Sequence, residues 1–261
     1  MEKRIKEILA GIEREERVKI LYACESGSRA WGFSSPDSDY DVRFIYVRPL
    51  EDYLTLQPKR DVIERMYKEE DIDLAGWDLR KAINLFSKSN PSFYEWLNSP
   101  IVYMEEAAFM RKVRSLMDEC FNPKASFHHY LGTAVSHDLR YLERKGITLK
   151  RFLYYFRSLL CCKWVAERRN SPPVRFDTLF HEMIWEKELL EAVDRMLERK
   201  KESKEHDTSA VEDCLLDYGD KLRDEMETIE CMATVLDTGT QVPKEKLEEL
   251  FRETVLQFSR A

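Results

Sequence analysis

Gly27-Ser28-Arg29-Ala30-Trp31-Gly32, followed by Ser38-Asp39-Tyr40-Asp41-Val42, is the stretch whose reading decides the fold of this 261-residue chain. A glycine-serine turn stands ten residues ahead of two aspartates that alternate at the start of an apolar run. Residues i and i+2 of a strand point to the same face, so the carboxylates of Asp39 and Asp41 converge. Adjacent carboxylates repel unless positive charge lies between them. An oxygen-only donor set favours Mg2+ or Mn2+ over zinc. The turn upstream offers backbone N–H groups and a hydroxyl to a phosphate.

Two rival readings of the same residues fail. Asp37, Asp39 and Asp41 have the spacing that opens an EF-hand loop, but that loop needs glycine at its sixth position and glutamate at its twelfth, where this chain has Val42 and Arg48. A Walker-type loop needs Gly-Lys-Ser/Thr after glycine and four residues, and the sequence contains no such string. A third reading, a solvated turn at 34–39 before a strand, accounts for the aspartates alone but not for the Gly-Ser pair at this distance.

The string resembles the signature of the DNA polymerase β-type nucleotidyltransferase superfamily, in which Gly-Ser is followed after about ten residues by Asp-x-Asp. The longer match covers Glu25-Ser26-Gly27-Ser28-Arg29-Ala30-Trp31-Gly32, Asp39-Tyr40-Asp41-Val42-Arg43 and Tyr46-Val47-Arg48-Pro49. It is similar to the bacterial and phage branch of nucleotidyltransferases associated with RNA repair. The likeness continues through Asp73, Trp77 to Lys81 and Asn90-Pro91, thins out over Tyr154 to Trp164, and is not seen after about Pro173.

The resemblance implies a third carboxylate on a neighbouring strand. In Glu70 to Trp77, Asp71 and Asp73 share one face and Ile72 and Leu74 the other. Asp73 is the candidate because apolar residues flank it, as in the family pattern; the alternative is a strand-end residue bonding a backbone group. Asp71 follows Glu69 and Glu70 and reads as part of an acidic edge. Asp78 reads as a helix N-cap.

The family mechanism then assigns Asp39, Asp41 and Asp73 to two metal ions, which such sites hold roughly 3.5–4 Å apart. Asp39 would bridge both, Asp41 complete both shells, and Asp73 serve the acceptor side. Gly27, Ser28 and the nearby backbone would hold the triphosphate of an NTP. Arg29 either adds charge-assisted bonds to it or pairs with Asp37 or Glu25.

Composition fits a globular chain. Its 43% hydrophobic and 11% aromatic content supports a sizeable core, and no apolar run approaches the roughly 18–20 residues of a membrane span. Six cysteines without Cys-x-x-Cys or framework spacing read as reduced thiols, so a cytoplasmic location is expected. His128 and His129 are neighbours that point to different sides of a helix and read as solvent-facing or core-edge histidines rather than a zinc site.

Hydrophobic periodicity predicts a helix over 2–16, strands over 18–23, 42–47, 62–67 and 71–75, helices over 79–87 and 92–97, and an extended segment at 101–103. Helical pattern dominates afterwards. The expected architecture is α+β: a polymerase β-like catalytic domain with a mixed sheet (1–104), then an all-helical C-terminal domain (105–261).

The net charge of −7 conceals an uneven distribution. Residues 124–169 carry 10 basic against 3 acidic side chains, whereas 170–261 carry 13 against 23. Within the basic block, 148–169 reads as one helix with Phe152, Tyr155, Phe156 and Leu159 on its apolar face. Lys150, Tyr154, Arg157, Cys161, Trp164 and Arg168 form a second stripe of cations and aromatics, suited to phosphates and stacked bases. On this reading Arg157 or Lys163 reaches the triphosphate; the alternative is a solvated face whose aromatics pack on a neighbour. The acidic tail is expected to be scaffold or a partner surface, with helices over 186–204 and 211–236 and a polar loop over 198–207.

The resulting expectation is metal-dependent transfer of an NMP from an NTP to a hydroxyl, with RNA as the acceptor that the resemblance implies. An RNA-repair partner protein or a homo-oligomer would fit. The alternatives are nucleotidylation of a protein or small molecule, and a non-catalytic nucleotide-binding module of a repair or toxin–antitoxin system.

Overall fold

The computed structural model describes residues 1–137, 147–202, 211–232, 236 and 242–259. The chain divides into two units, one of Met1–Ala30, Asp39–Phe121 and Thr240–Ala261, the other of Trp31–Ser38 and Asn122–Gly239.

The first unit opens with α1 (Glu2–Glu16), β1 (Lys19–Glu25) and the short α2 (Gly27–Trp31), which runs to the unit boundary. It resumes with β2 (Tyr40–Val47), α3 (Leu50–Tyr53), β3 (Val62–Tyr67), β4 (Ile72–Asp78), α4 (Leu79–Ser87), α5 (Pro91–Leu97), β5 (Val102–Glu105) and α6 (Ala107–Cys120). The second unit holds α7 (Pro123–Ser136), α8 (Leu149–Arg168), α9 (Phe176–Met183), α10 (Lys187–Glu202) and α11 (Asp213–Cys231). The last helix, α12 (Lys244–Phe258), returns to the first unit.

The five strands form one mixed sheet, β3-β4-β2-β1-β5, in which only the central β2–β4 pair is parallel. The predicted α+β class and strands are present. The 104/105 boundary is not where the structure divides, because α6 and α12 pack with the sheet unit and 31–38 with the helices. The Gly-Ser turn is also more than a turn: it is the first turn of α2. At the acidic end α10 continues to Glu202, and the rest of the expected 198–207 loop lies outside the described residues; the helix expected over 211–236 ends earlier, at Cys231, with Met232 as its C-cap.

Alternation explains how β4 sits. Ile72, Leu74, Gly76 and Asp78 are buried, whereas Asp73, Ala75 and Trp77 are half-buried. The buried side joins Val42, Phe44 and Tyr46 of β2 and the Ile5, Ile8, Leu9 and Ile12 stripe of α1 in one core. Gly76 is small for a reason: a Cβ there would stand 2.1 Å from the Phe44 ring. All six cysteines are free, four of them buried.

Helix starts follow the sequence signals. Asp78 caps α4 by accepting from Arg80 N at 2.9 Å, and Asn90 caps α5 by accepting from Phe93 N at 3.2 Å, with Pro91 at the first helical position. Asn90→Ala should destabilise the sheet unit by about 1 kcal/mol, seen as a Tm lowered by a few degrees in a thermal melt.

Asp78 also accepts from Tyr53 Oη at 2.9 Å. Burial raises its pKa above the ordinary 3.8, against the lowering effects of those hydrogen bonds and of Arg48 and Arg80. A carboxyl whose folded-state pKa is raised contributes stability that is fully present below the unfolded value and is lost as pH rises through the folded one. Asparagine is neutral throughout and caps helices as well. The stability of Asp78→Asn relative to wild type should therefore increase as pH climbs from about 4 to about 7, as measured by urea denaturation at each pH.

Candidate functional site

The parallel register of β2 and β4 sets Asp41 directly beside Asp73. Neighbouring residues of a parallel pair share a face, so both carboxylates project to the same side, with side chains 29% and 31% exposed. Arg43, two residues along β2, lies on that face as well. Its Nη2 donates to Asp41 Oδ1 and to Asp73 Oδ2, each at 2.8 Å. Its Nη1 donates to the Val42 and Asp73 carbonyls, each at 3.2 Å.

The backbone of Asp41 is held on both sides. Its N–H donates to Glu25 Oε1 at 2.8 Å, and its carbonyl accepts from Ser26 N at 2.8 Å. Glu25 is fully buried at the end of β1, and its other oxygen accepts a short bond from Tyr103 Oη. Burial pushes the Glu25 pKa up, opposed by these hydrogen bonds and by the nearby Arg29.

The Gly27 turn meets Asp41 directly. Gly27 has φ +60°, and a Cβ there would stand 2.2 Å from Asp41 Oδ2. Glycine is thus required both by the backbone conformation and by the close approach of the carboxylate. Ser28 follows in the first turn of α2. Arg29 lies 3.8 Å from the centroid of the Tyr40 ring and donates from Nε to the Asp39 carbonyl at 3.1 Å.

Asp39 itself is exposed and precedes the first residue of β2. Among the described residues, no three His, Cys, Asp or Glu side chains stand together as a set able to hold a cation. Asp41 and Asp73 stand side by side, bridged by Arg43, and Asp39 lies on the segment just ahead of β2. The donor chemistry still fits a hard divalent ion: two half-exposed carboxylates on adjacent strands share a face and already hold one cation, the guanidinium, between them.

The basic helix differs from its expected form. α8 is the central helix of the second unit, with α7, α9, α10 and α11 packed on it, and every residue from Tyr155 to Cys162 is buried. A stripe spaced by fours and threes along such a helix is not an open face. Arg157 is only 4% exposed; its guanidinium lies 4.3 Å from the Trp31 ring centroid, and Nη2 donates to the Val174 carbonyl at 3.4 Å. Tyr154 meets Trp31 edge-on with ring centroids 5.0 Å apart. Lys163 lies on a different side of α8, beside the phenol of Tyr218. Only the flanks of the stripe reach the surface: Lys150 is exposed, Trp164 Nε1 donates to Asn170 Oδ1 at 2.7 Å, and Arg168 is 3.6 Å from Glu182.

Sequence reasoning assigned no role to Arg43 and treated Glu25 only as a potential partner of Arg29. The alternation that pairs Asp39 with Asp41 also brings Arg43 to the same face, so that signal was present. The contact between Glu25 and Asp41 depends on the β1–β2 register and on Tyr103, a residue 78 positions away from Glu25.

Among the described residues, no helix is long and apolar enough to cross a membrane. The chain is 40% identical over 255 residues to the Bacillus subtilis (strain 168) protein whose name is given as uncharacterized protein YcgL, covering 98% of this chain and 96% of that relative. A sequence profile named RlaP, described as RNA repair pathway DNA polymerase beta family, matches residues 1–253. With the Gly27 turn set against Asp41 and Asp41 set against Asp73, that match means that the chain belongs to the RNA repair pathway DNA polymerase beta family.

Proposed function

We propose that this protein transfers a nucleoside monophosphate from an NTP to an acceptor hydroxyl on RNA, using Mg2+ or Mn2+. The observation that carries the reading is the Asp41–Asp73 pair on adjacent parallel strands with the Gly27-Ser28 turn packed against Asp41. RNA as acceptor is favoured by the family's description.

Asp41 and Asp73 would hold the metal, with Asp39 joining from the segment ahead of β2. The metal's chemistry is to lower the pKa of the attacking hydroxyl and to stabilise the departing pyrophosphate. Ser28 and the N–H groups of the first turn of α2 bind the β- and γ-phosphates, and Arg29 adds positive charge beside them. Asp73 takes the proton as the acceptor oxygen bonds to the α-phosphorus and the bond to pyrophosphate breaks. Arg43 keeps the two carboxylates together in the metal-free protein, where they would otherwise repel. Glu25 and Ser26 fix the Asp41 backbone, so the carboxylate starts in place.

The test is incubation with each α-labelled NTP, Mg2+ and either total RNA or total protein. Label entering RNA supports the proposal. Label entering protein or a small product would move the acceptor elsewhere, and nucleotide binding without transfer would reduce the protein to a binding module.

A further inference from the structure

The strand pair that carries Asp41 and Asp73 at its start ends in a second cluster of charge. Arg48 follows the last residue of β2 and Asp78 ends β4. Arg48 stands seven positions beyond Asp41, about 23 Å at strand rise. Here the sheet unit has two cavities that share Arg80 and Asn84. The smaller, about 360 Å³, is lined by Arg48, Lys59, Arg60, Arg80 and Lys81 against Asp52, Asp61 and Asp78. The larger, about 690 Å³ between α4 and α12, combines Ile83, Leu247 and Phe251 with Lys88 and Lys244 and the carboxylate of Glu248. Both lie within the roughly 300–1,000 Å³ of small-molecule sites.

Some of these cations are already partnered. Lys59 pairs with Asp52 at 2.8 Å, Lys81 with Asp61 at 3.2 Å and Arg60 with Glu64 at 2.5 Å. Arg48 and Arg80 have no carboxylate within salt-bridge distance among the described residues. Arg48 is 7% exposed, and its Nε makes no hydrogen bond among the described residues. Its Nη2 makes a long bond to the Arg60 carbonyl, 3.4 Å, its guanidinium carbon lies 5.2 Å from the Tyr46 ring centroid, and its charge also acts on the Tyr46 hydroxyl and on Asp78. Arg80 is exposed, 5.1 Å from the Tyr53 centroid and 5.5 Å from that of Phe251. A buried guanidinium with an idle donor is costly unless an anion completes it. The overall charge of −7 makes this concentration of positive charge stand out further.

We propose that these joined cavities form a second site, separate from the carboxylate pair, which binds a 5′-phosphorylated nucleoside. The phosphate lies in the smaller cavity by Arg48 and Arg80, and the base and ribose lie in the larger one against Ile83, Leu247 and Phe251. The ligand is a free nucleotide or the 5′-phosphorylated end of an RNA, both of which present this chemistry. The site does not depend on transfer at Asp41 and Asp73.

Isothermal titration of the full chain in EDTA, which withholds metal from the carboxylate pair, tests the proposal with AMP as the probe. AMP should bind, and Arg80→Gln, a change at an exposed side chain, should weaken it by about tenfold. Phe251→Ala should weaken AMP but spare inorganic phosphate. An Asp41→Asn, Asp73→Asn double variant should bind AMP as wild type does, so failure of the transferase reading leaves this result untouched. A 5′-phosphorylated oligoribonucleotide that outcompetes AMP, while its 5′-hydroxyl counterpart does not, identifies the RNA end as the source; AMP binding that neither oligonucleotide displaces identifies the free nucleotide. Absence of AMP binding at millimolar concentration, indifference to Arg80→Gln, or loss of binding in the double variant would overturn it.

Discussion

Asp41→Asn and Asp73→Asn, made singly, should each lower the rate of nucleotide transfer by roughly a thousandfold or more, since a metal-binding carboxylate supplies several kcal/mol to the transition state. Asparagine keeps the size of the side chain, and both positions are only half-buried, so the fold should persist. Arg43 would retain one of its two carboxylate partners in each variant. Mn2+ affinity measured by electron paramagnetic resonance should fall in parallel, which separates loss of metal from loss of structure. Full turnover in either variant would remove that residue from the reaction. Gly27→Ala approaches the same site from the backbone. It strains a φ of +60° and places a methyl 2.2 Å from Asp41 Oδ2, so the carboxylate must move although no catalytic atom has been deleted. Its transfer rate should fall further than its Tm would suggest.

Gly76→Val should give the largest loss of stability of the changes considered, about 3 kcal/mol, with a fall in Tm on the order of 10 °C. The Phe44 ring lies over Gly76 and is itself fully buried in the core shared with α1, so neither side can yield cheaply. The cycle with Phe44→Leu checks the cause. If the clash is responsible, the smaller side chain should recover part of the loss in the double variant, and the two changes should not add. Additive losses would show that the glycine is needed for another reason.

The parts of the fold that were legible in the sequence are those whose pattern is local. The Ile5, Ile8, Leu9 and Ile12 stripe, the alternation through Asp73 and the capping by Asp78 each depend on near neighbours, and all three are present. The pairing of Asp41 with Asp73 was legible only in part. Alternation shows the face of each, but their register is a property of two strands 32 residues apart. Unit membership was not legible, because α6 and α12 carry the same 3.6-residue period whether they pack on a sheet or on other helices. The enclosure of α8 was hidden for a related reason. Arg157 is charged, and nothing local marks it as a residue that will lie buried against an indole ring.

The sheet unit is closed by a segment made long after the rest of it. α12 packs on α4 and β2; Phe251 meets the Tyr53 ring, Lys246 pairs with Glu119, and Leu50 N donates to Ser259 Oγ. A ribosome that has released residues 1–121 has therefore delivered the strands but not their last cover, and it must thread more than a hundred further residues before that cover arrives. Until then the parts of α4 and β2 that α12 covers, and the Tyr53 ring with them, lack that cover.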